Sequence, residues 1–166
     1  MILTVWRHGE AGRAATDFDR ALTDKGRDDI GFGAAQFHKY CASRNLPHPD
    51  QIRVSPLVRT QQTAELVSAA FTGANGLVDD RIQSGAGVAH ALELMQEALD
   101  DGRVEHLLLV SHQPLVSRLI DALLGDPGRV APLTPGGFAV LTLDAAARGY
   151  ADLNFWCLPP DYGVDV

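Results

Sequence analysis

Cysteine, long apolar runs and positive charge are all scarce in this chain of 166 residues. Its two cysteines, Cys41 and Cys157, lie far apart and form no Cys-x-x-Cys pair, which argues against a zinc site and against a disulfide framework. No stretch approaches the ~20 apolar residues of a membrane span, and the apolar run before Arg7 is too short for the core of a signal peptide. We therefore expect a cytoplasmic protein.

The balance of charge is acidic, with a formal net charge of -7 at pH 7. An acidic surface argues against binding to nucleic acid and to anionic membranes, so any functional positive charge must be local. Hydrophobic residues make up 46% of the chain, enough for one substantial core. We expect residues 1–166 to form a single domain, and nothing in the pattern demands more than a monomer.

Motifs of several other enzyme classes are missing. Gly31-Phe32-Gly33 lies inside a helical pattern and lacks the third glycine of a dinucleotide-binding turn, and no phosphate-binding loop of the GxxxxGK type is present. Ser111 lacks the glycines of a serine-hydrolase elbow. Neither Cys41 nor Cys157 has an arginine at the downstream spacing of a cysteine phosphatase. His106 and His112 stand at opposite ends of one predicted strand, too far apart to share a metal ion.

Predicted strands alternate with predicted helices along most of the chain, which indicates an α/β domain with a mainly parallel sheet. The last two strands are joined by a short connection, so we expect them to be antiparallel neighbours. Ser55 is predicted to cap a helix that Pro56 opens, and residues 72–87 are predicted to be a glycine-rich loop. The predicted strands cover residues 2–6, 51–54, 106–111, 138–143 and 152–157, and the predicted helices begin near Thr23, Ser55, Val88 and Pro114.

Three strands are each followed by a turn that carries basic or imidazole side chains. Arg7 and His8 follow the first strand, Arg59 follows the second within the start of a helix, and His112 follows the central strand. Ligands of open α/β sheets bind outside the carboxyl ends of the strands. We therefore expect Arg7, His8, Arg59 and His112 to converge on one ligand.

The chemistry of these side chains suits a phosphoryl group. Arginine forks bind its oxygens in pairs, and a neutral imidazole such as that of His8 can attack phosphorus and hold it covalently. Nearby arginines lower the pKa of His8 and keep it neutral. Gly9 leaves room for close backbone approach to the substrate. His112, as a cation or as a neutral donor, would stabilise charge on the phosphoryl oxygens.

Four motifs stand out in order along the chain: Arg7-His8-Gly9-Glu10-Ala11, Arg20-Ala21-Leu22-Thr23-x-x-Gly26, Ser55-Pro56-x-x-Arg59-x-x-Gln62-Thr63 and Ser111-His112-Gln113-Pro114. With these motifs the chain resembles the histidine phosphatase superfamily, whose fold is phosphoglycerate mutase-like, and its short length is similar to that of the SixA-type phosphohistidine phosphatases. The resemblance implies a three-layer α/β/α fold, a phosphohistidine intermediate on His8, a phosphate pocket of Arg7, Arg59 and His112, and no required metal or other cofactor. It also implies an accessory phosphate or substrate contact from Arg20.

The general acid is the weakest part of this resemblance. Larger relatives supply a carboxylate near residues 72–87, where this chain has Arg81 or a neighbour, so Asp80 and Glu10 are the candidate proton donors. An imidazole, with a pKa of about 6.5, leaves more readily than an alcohol and depends less on such a donor. The short loops 11–22 and 72–87 also leave little room for a lid, which favours a protein-borne substrate.

We therefore predict a metal-independent phosphatase that removes phosphate from phosphohistidine on a partner protein. Two alternatives stay open. One is a general phosphatase for small phosphate esters. The other is a non-catalytic module that binds phosphate or a phosphoprotein, for which the doubtful general acid is the best argument.

Overall fold

The computed structural model describes residues 1–71 and 74–166. Its elements alternate between strand and helix up to the last two strands, as the sequence pattern predicts. They are β1 (Ile2–Arg7), α1 (Asp24–Ser43), β2 (Gln51–Val54), α2 (Val58–Ser68), β3 (Asn75–Val78), a 3₁₀ turn (Asp80–Ile82), α3 (Val88–Asp101), β4 (His106–Ser111), α4 (Leu115–Leu124), β5 (Phe138–Leu143) and β6 (Ala151–Cys157).

The described residues form a six-stranded sheet in the order β3-β2-β4-β1-β5-β6. Strands β1 to β4 are parallel, β5 is antiparallel to β1, and β6 is antiparallel to β5. The prediction of a mainly parallel sheet with an antiparallel edge is therefore confirmed. The register pairs Arg7 with Ser111 and Val54 with Val110, so β1, β4 and β2 end side by side.

Helices cover both faces of the sheet, which confirms the three-layer prediction. Leu3 and Val5 of β1 pack into a core with α3 and α4, whereas Trp6 packs into a second core with α1 and α2. The alternation follows from the two-residue period of a strand. Every residue of β4 is buried, as expected for the central strand of a sheet covered on both sides.

The start of α1 is fixed against the turn that follows β1. The side chain of Thr23 caps the helix by accepting a hydrogen bond from the Gly26 N–H at 3.0 Å. A Cβ atom on Gly26 would collide with the backbone carbonyl of Glu10. The glycine therefore allows the helix to lie directly on the turn that carries His8.

Two local predictions are wrong. Ser55 does not cap α2, which begins at Val58 with Leu57 as its N-cap residue; the Ser55 hydroxyl is instead bonded to His112. Residues 72–87 are not loop throughout, because Asn75–Val78 form the edge strand β3. The pairing of β3 with β2 supplies a strand that its own glycine-containing sequence does not favour.

No helix in residues 1–71 or 74–166 is both long enough and apolar enough to cross a membrane. Cys41 and Cys157 are free and buried in the structure. Burial raises the pKa of each thiol to about 12, so both stay protonated at neutral pH.

Candidate active site

The adjacent ends of β1, β2 and β4 bring the predicted site residues together. His8 follows β1 and His112 follows β4, and their ring centroids are 5.1 Å apart. The Arg59 side chain, from the first turn of α2, donates a hydrogen bond from Nε to His8 Nε2 at 3.3 Å. The predicted convergence of three distant segments is therefore present.

Hydrogen bonding fixes the tautomer of His8. Its Nδ1 lies 2.7 Å from the carbonyl oxygen of Gly9. A carbonyl only accepts, so Nδ1 carries the proton and Nε2 keeps a lone pair. Burial, with the positive charges of Arg59 and Arg7, lowers the pKa of His8 to about 4. At neutral pH the ring is an uncharged imidazole, the form that can attack phosphorus.

Gly9 has partners for both of its backbone polar groups inside the protein. Its carbonyl accepts from His8, and its N–H donates to Thr63 Oγ1 at 3.1 Å. A Cβ atom at this position would lie 2.9 Å from Cγ1 of Ile30. The missing side chain therefore makes room for α1, and the predicted contact between Gly9 and substrate stays a prediction.

Arg59 is 4% exposed, and its guanidinium group is held by the loop of residues 11–22. Its terminal nitrogens donate to the Asp17 backbone carbonyl at 2.6 Å and to the Asp17 carboxylate at 3.0 Å. The bond from Arg59 keeps the pKa of Asp17 below its usual value. The carboxylate of Asp17 thus occupies part of the fork that the sequence analysis assigned to phosphate.

Arg20 lies in the same loop and binds the loop itself. Its guanidinium group donates to the backbone carbonyls of Gly12 and Ala11 at 2.8 and 3.3 Å, and to the Asp17 carboxylate at 3.2 Å. Its positive charge still contributes to lowering the pKa of His8. An accessory contact between Arg20 and substrate stays a prediction.

Arg7 approaches the site from the end of β1. Its NH1 donates to the Leu133 carbonyl at 2.7 Å, and burial lowers its pKa. Its Nε is buried and has no hydrogen-bond partner in the part of the chain that the structure describes. A buried donor without a partner is costly in a folded protein and points to a ligand or another polar group nearby.

His112 is bonded on one side only. Its Nε2 lies 2.6 Å from the hydroxyl oxygen of Ser55, whereas its buried Nδ1 has no partner among the described residues. Burial, with the positive charge of Arg59 nearby, lowers the pKa of His112 to about 3. A ring with this lowered pKa is neutral near pH 7 in the protein without ligand, and the role of His112 towards the phosphoryl oxygens stays a prediction.

The two candidate proton donors, Glu10 and Asp80, form no hydrogen bond with this cluster among the described residues. Glu10 accepts a hydrogen bond from the Thr23 hydroxyl at 2.8 Å, and Asp80 is an exposed residue at the start of the 3₁₀ turn. Among the described residues, no hydrogen bond joins either carboxylate to His8, Arg59 or His112. Their assignment as proton donors stays a prediction.

Arg81, at the position where larger relatives are expected to carry the acid, has a structural environment. Its guanidinium group donates to the carboxylates of Asp79 at 2.8 Å and of Glu97 at 2.6 Å. These bonds raise the pKa of Arg81. The side chain therefore ties the 3₁₀ turn to α3 and offers no proton.

Sequence reasoning missed three polar groups at the site. Thr63 links the turn that carries His8 to the helix that carries Arg59, because its hydroxyl accepts from the Gly9 N–H and donates to the Arg59 carbonyl at 2.7 Å. Ser55 and Thr63 both lie in the motif around Arg59, so that motif carried the signal. Asp17 had no such signal, since its role depends on the path of the 11–22 loop.

The site thus combines two imidazoles and two guanidinium groups at the ends of parallel strands in a three-layer fold. No family model matches the chain. The phosphohistidine phosphatase SixA homolog of Haemophilus influenzae is 30% identical over 131 residues, which cover 75% of this chain and 78% of that protein. The phosphohistidine phosphatase SixA of Escherichia coli is 28% identical over 151 residues, covering 90% and 89%.

A solved structure agrees with these relatives. The protein histidine phosphatase SixA complexed with tungstate superposes with a TM-score of 0.79 and 28% sequence identity, covering 94% of this chain and 96% of that one. The chain belongs to the SixA-type histidine phosphatases. The resemblance predicted from the four motifs is thereby confirmed.

Proposed function

We propose that this protein hydrolyses phosphohistidine on a partner protein through a covalent phosphoryl intermediate on His8. One observation carries the proposal. The hydrogen bond to the Gly9 carbonyl leaves the lone pair of His8 on Nε2, the nitrogen that faces Arg59. The names of the relatives, which are phosphohistidine phosphatases, support the same substrate class.

The reaction proceeds in two displacements at phosphorus. In the first, His8 Nε2 forms a bond to phosphorus as the P–N bond of the substrate breaks, and the departing imidazole keeps or gains a proton on its ring. In the second, water attacks the phosphorus of phospho-His8, the P–N bond breaks, and the water proton passes to solvent or phosphate. The net change is phosphohistidine plus water to histidine plus inorganic phosphate.

Arg7, Arg59 and His112 bind the phosphoryl oxygens in this proposal. Arg7 and His112 each have a buried nitrogen without a partner among residues 1–71 and 74–166, and such groups gain the most from an oxyanion. Arg59 shares its fork between Asp17 and the substrate. The tungstate in the SixA relative supports the same class of ligand, a tetrahedral oxyanion.

The lack of a bonded acid favours phosphohistidine over phosphate esters. An alcohol must receive a proton as it leaves, whereas an imidazole with a pKa of about 6.5 leaves readily once its ring is protonated. Glu10 and Asp80 have no described bond to the cluster, so a phosphoramidate suits this site better than an alkyl ester. The proposed chemistry uses protein groups alone and calls for no metal.

The proposal extends to the setting of the enzyme. We take residues 1–166 as one catalytic domain that acts as a monomer in the cytoplasm on a phosphorylated protein, without nucleic acid or membrane as a partner. The acidic net charge of -7 supports the exclusion of nucleic acid. The short 11–22 loop supports access for a protein-borne group.

Replacement of the nucleophile is the decisive experiment. We expect His8→Ala to lower turnover of a phosphohistidine peptide by at least about 10³-fold, because the covalent step is lost. Wild-type protein incubated with a labelled phosphoryl donor should give an acid-labile, base-stable adduct that His8→Ala lacks. The matched control is His48→Gln, which removes an exposed histidine outside the site. Full turnover by His8→Ala would contradict the proposal.

A comparison of substrates separates the proposal from a general ester phosphatase. We expect kcat/KM to be higher for a phosphohistidine peptide than for an alkyl phosphate measured on the same preparation. Equal values for the two substrates would favour the ester phosphatase. Stoichiometric binding of a phosphohistidine peptide without release of phosphate would favour a binding module instead.

A further inference from the structure

We infer that the Ser55 hydroxyl positions His112 by fixing its ring proton on Nδ1, so that a neutral imidazole presents an N–H group to the phosphoryl oxygens. The choice of ligand rests on the function proposed above. The hydrogen bonding of the ring itself does not, because it is a property of the folded protein.

The two side chains form a buried pair at the carboxyl ends of β2 and β4. Ser55 is 0% exposed and His112 is 2% exposed, and their Oγ and Nε2 atoms are 2.6 Å apart. The Ser55 N–H donates to the Val110 carbonyl at 3.1 Å, and its carbonyl accepts from Thr60 Oγ1 at 2.8 Å. Hydrogen bonds to both backbone polar groups of Ser55 thus hold the residue in place.

The Ser55 hydroxyl proton has an acceptor in only one tautomer. If Nδ1 carries the ring proton, the Ser55 hydroxyl donates to the lone pair of Nε2, and the N–H at Nδ1, which has no partner among the described residues, is left free for a ligand. If Nε2 carries the proton, it donates to the hydroxyl oxygen. The hydroxyl proton then has no acceptor among the described residues, which is costly in a buried site.

The position of the proton decides what His112 can do. Burial, with the positive charge of Arg59 nearby, lowers the pKa of His112 to about 3. A neutral imidazole has one donor and one acceptor nitrogen. With the proton on Nε2, the lone pair of Nδ1 would repel an oxyanion. With the proton on Nδ1, the same atom donates to it.

The protein contains a second pair of the same kind at the other end of β4. His106 Nε2 lies 2.8 Å from Thr4 Oγ1, and its Nδ1 lies 2.7 Å from the Pro47 carbonyl. Because that carbonyl only accepts, the proton of His106 is on Nδ1 and Thr4 donates to Nε2. A hydroxyl that donates to Nε2 of a buried imidazole therefore already occurs in this fold.

The test combines a spectroscopic reading with kinetics. The ring nitrogens of His112 are followed by ¹⁵N NMR in protein saturated with tungstate, with assignments from the spectrum of His112→Gln. We expect Nδ1 to be protonated in the wild type and the proton to move wholly or partly to Nε2 in Ser55→Ala. Turnover of a phosphohistidine peptide by Ser55→Ala should fall at least about tenfold in kcat, because donation from Nδ1 is lost in the wrong tautomer.

Two further variants separate positioning from damage to the fold. Ser55→Cys keeps a weak donor at the same place and should recover part of both the Nδ1 signal and kcat. Thr4→Val removes the hydroxyl from the matched pair at His106 and should leave the spectrum of His112 and the turnover unchanged.

A wild-type spectrum with the proton on Nε2 would overturn the inference, as would an unchanged Nδ1 proton in Ser55→Ala. The spectrum needs tungstate but no turnover. A wild-type protein without phosphatase activity would therefore contradict the proposed function, whereas the ring spectrum would still decide the role of Ser55.

Discussion

The two ends of β4 carry histidines in nearly the same surroundings. His106 begins the strand and His112 follows it, both are buried, and each has a hydroxyl group on Nε2. They differ at Nδ1, which donates to the Pro47 carbonyl in His106 but has no partner in His112 among the described residues. The same pairing of hydroxyl and imidazole thus occurs within the core at His106 and beside His8 at His112.

Burial and a lowered pKa do not distinguish the two histidines, because burial lowers the pKa of both rings, to about 4 in His106 and to about 3 in His112. The histidines differ in hydrogen bonding, because Nδ1 of His112 has no partner among the described residues. They also differ in the charged groups around them. Between these two histidines, the buried nitrogen without a partner among the described residues is therefore the feature that separates them.

Separate replacement of His112 and His106 tests whether the two rings differ in function. We expect His112→Gln to lower kcat/KM by about 10² to 10³, the usual loss for one donor to a transition state, with little change in stability. His106→Leu should leave turnover per folded molecule near normal. It should lower the free energy of unfolding by about 2 to 4 kcal/mol, because Thr4 and the Pro47 carbonyl lose their partner. Steady-state kinetics and urea unfolding measure both, and a large kinetic effect of His106→Leu would erase the distinction.

Replacement of an arginine in the cluster should lower the rate, whereas replacement of an arginine outside the cluster should not. We expect Arg59→Ala to lower kcat/KM on the order of 10²-fold, because the guanidinium group proposed to bind the phosphoryl oxygens is removed. Arg81→Ala is the matched control, since Arg81 binds Asp79 and Glu97 outside the cluster. It should change the rate by less than about twofold. Similar losses in the two variants would assign the effect to net charge.

Acid should destabilise both ends of β4. The pKa of each ring is lower in the folded protein than its usual value of 6.5, to about 4 in His106 and about 3 in His112. The unfolded chain therefore binds more protons below pH 6.5, and stability falls as pH drops. We expect each ring to contribute a loss of up to about 2 kcal/mol between pH 6.5 and 5. Urea unfolding of wild type, His106→Leu and His112→Gln over this range measures the contributions, and parallel curves for the three proteins would contradict the expectation.

The smallest expected effect concerns the Asp17 carboxylate on Arg59. We expect Asp17→Asn to raise the affinity for tungstate by about threefold, because the carboxylate no longer competes for the guanidinium group and its side chain is well exposed. Asp19→Asn makes the same change of charge in the same loop, where the Asp19 carboxylate accepts a hydrogen bond from the Thr16 hydroxyl. Calorimetric titration of both variants is the measurement. An equal gain in Asp19→Asn would indicate a general effect of charge.

Much of the fold follows from local patterns. The apolar runs of β1, β2 and β4 predict strands that are observed within a residue of the predicted bounds, and α1 begins directly after Thr23, where its start is predicted. Convergence of Arg59 and the two site histidines follows from parallel strands that end together. These features depend on residues close in sequence and on a general rule of sheet geometry.

The missed features depend on contacts between distant segments. Ser55-Pro56 has the local pattern of a helix start, but the Ser55 hydroxyl is hydrogen-bonded to the buried ring of His112 and does not cap α2. Strand β3 is a strand because β2 offers it an edge. Asp17 reaches Arg59 only because of the path of its loop. None of these partners is near in the chain, so local pattern could not reveal them.

The bare contact between Gly26 and the Glu10 carbonyl has a consequence for variation in this enzyme. Any larger residue at position 26 must lift the first turn of α1 away from the turn that carries His8, the proposed nucleophile. A change to alanine, harmless at most exposed helical positions, would here be felt as lost catalysis and lost stability together. The absence of a side chain at Gly26 therefore matters both for the stability of the fold and for the position of His8.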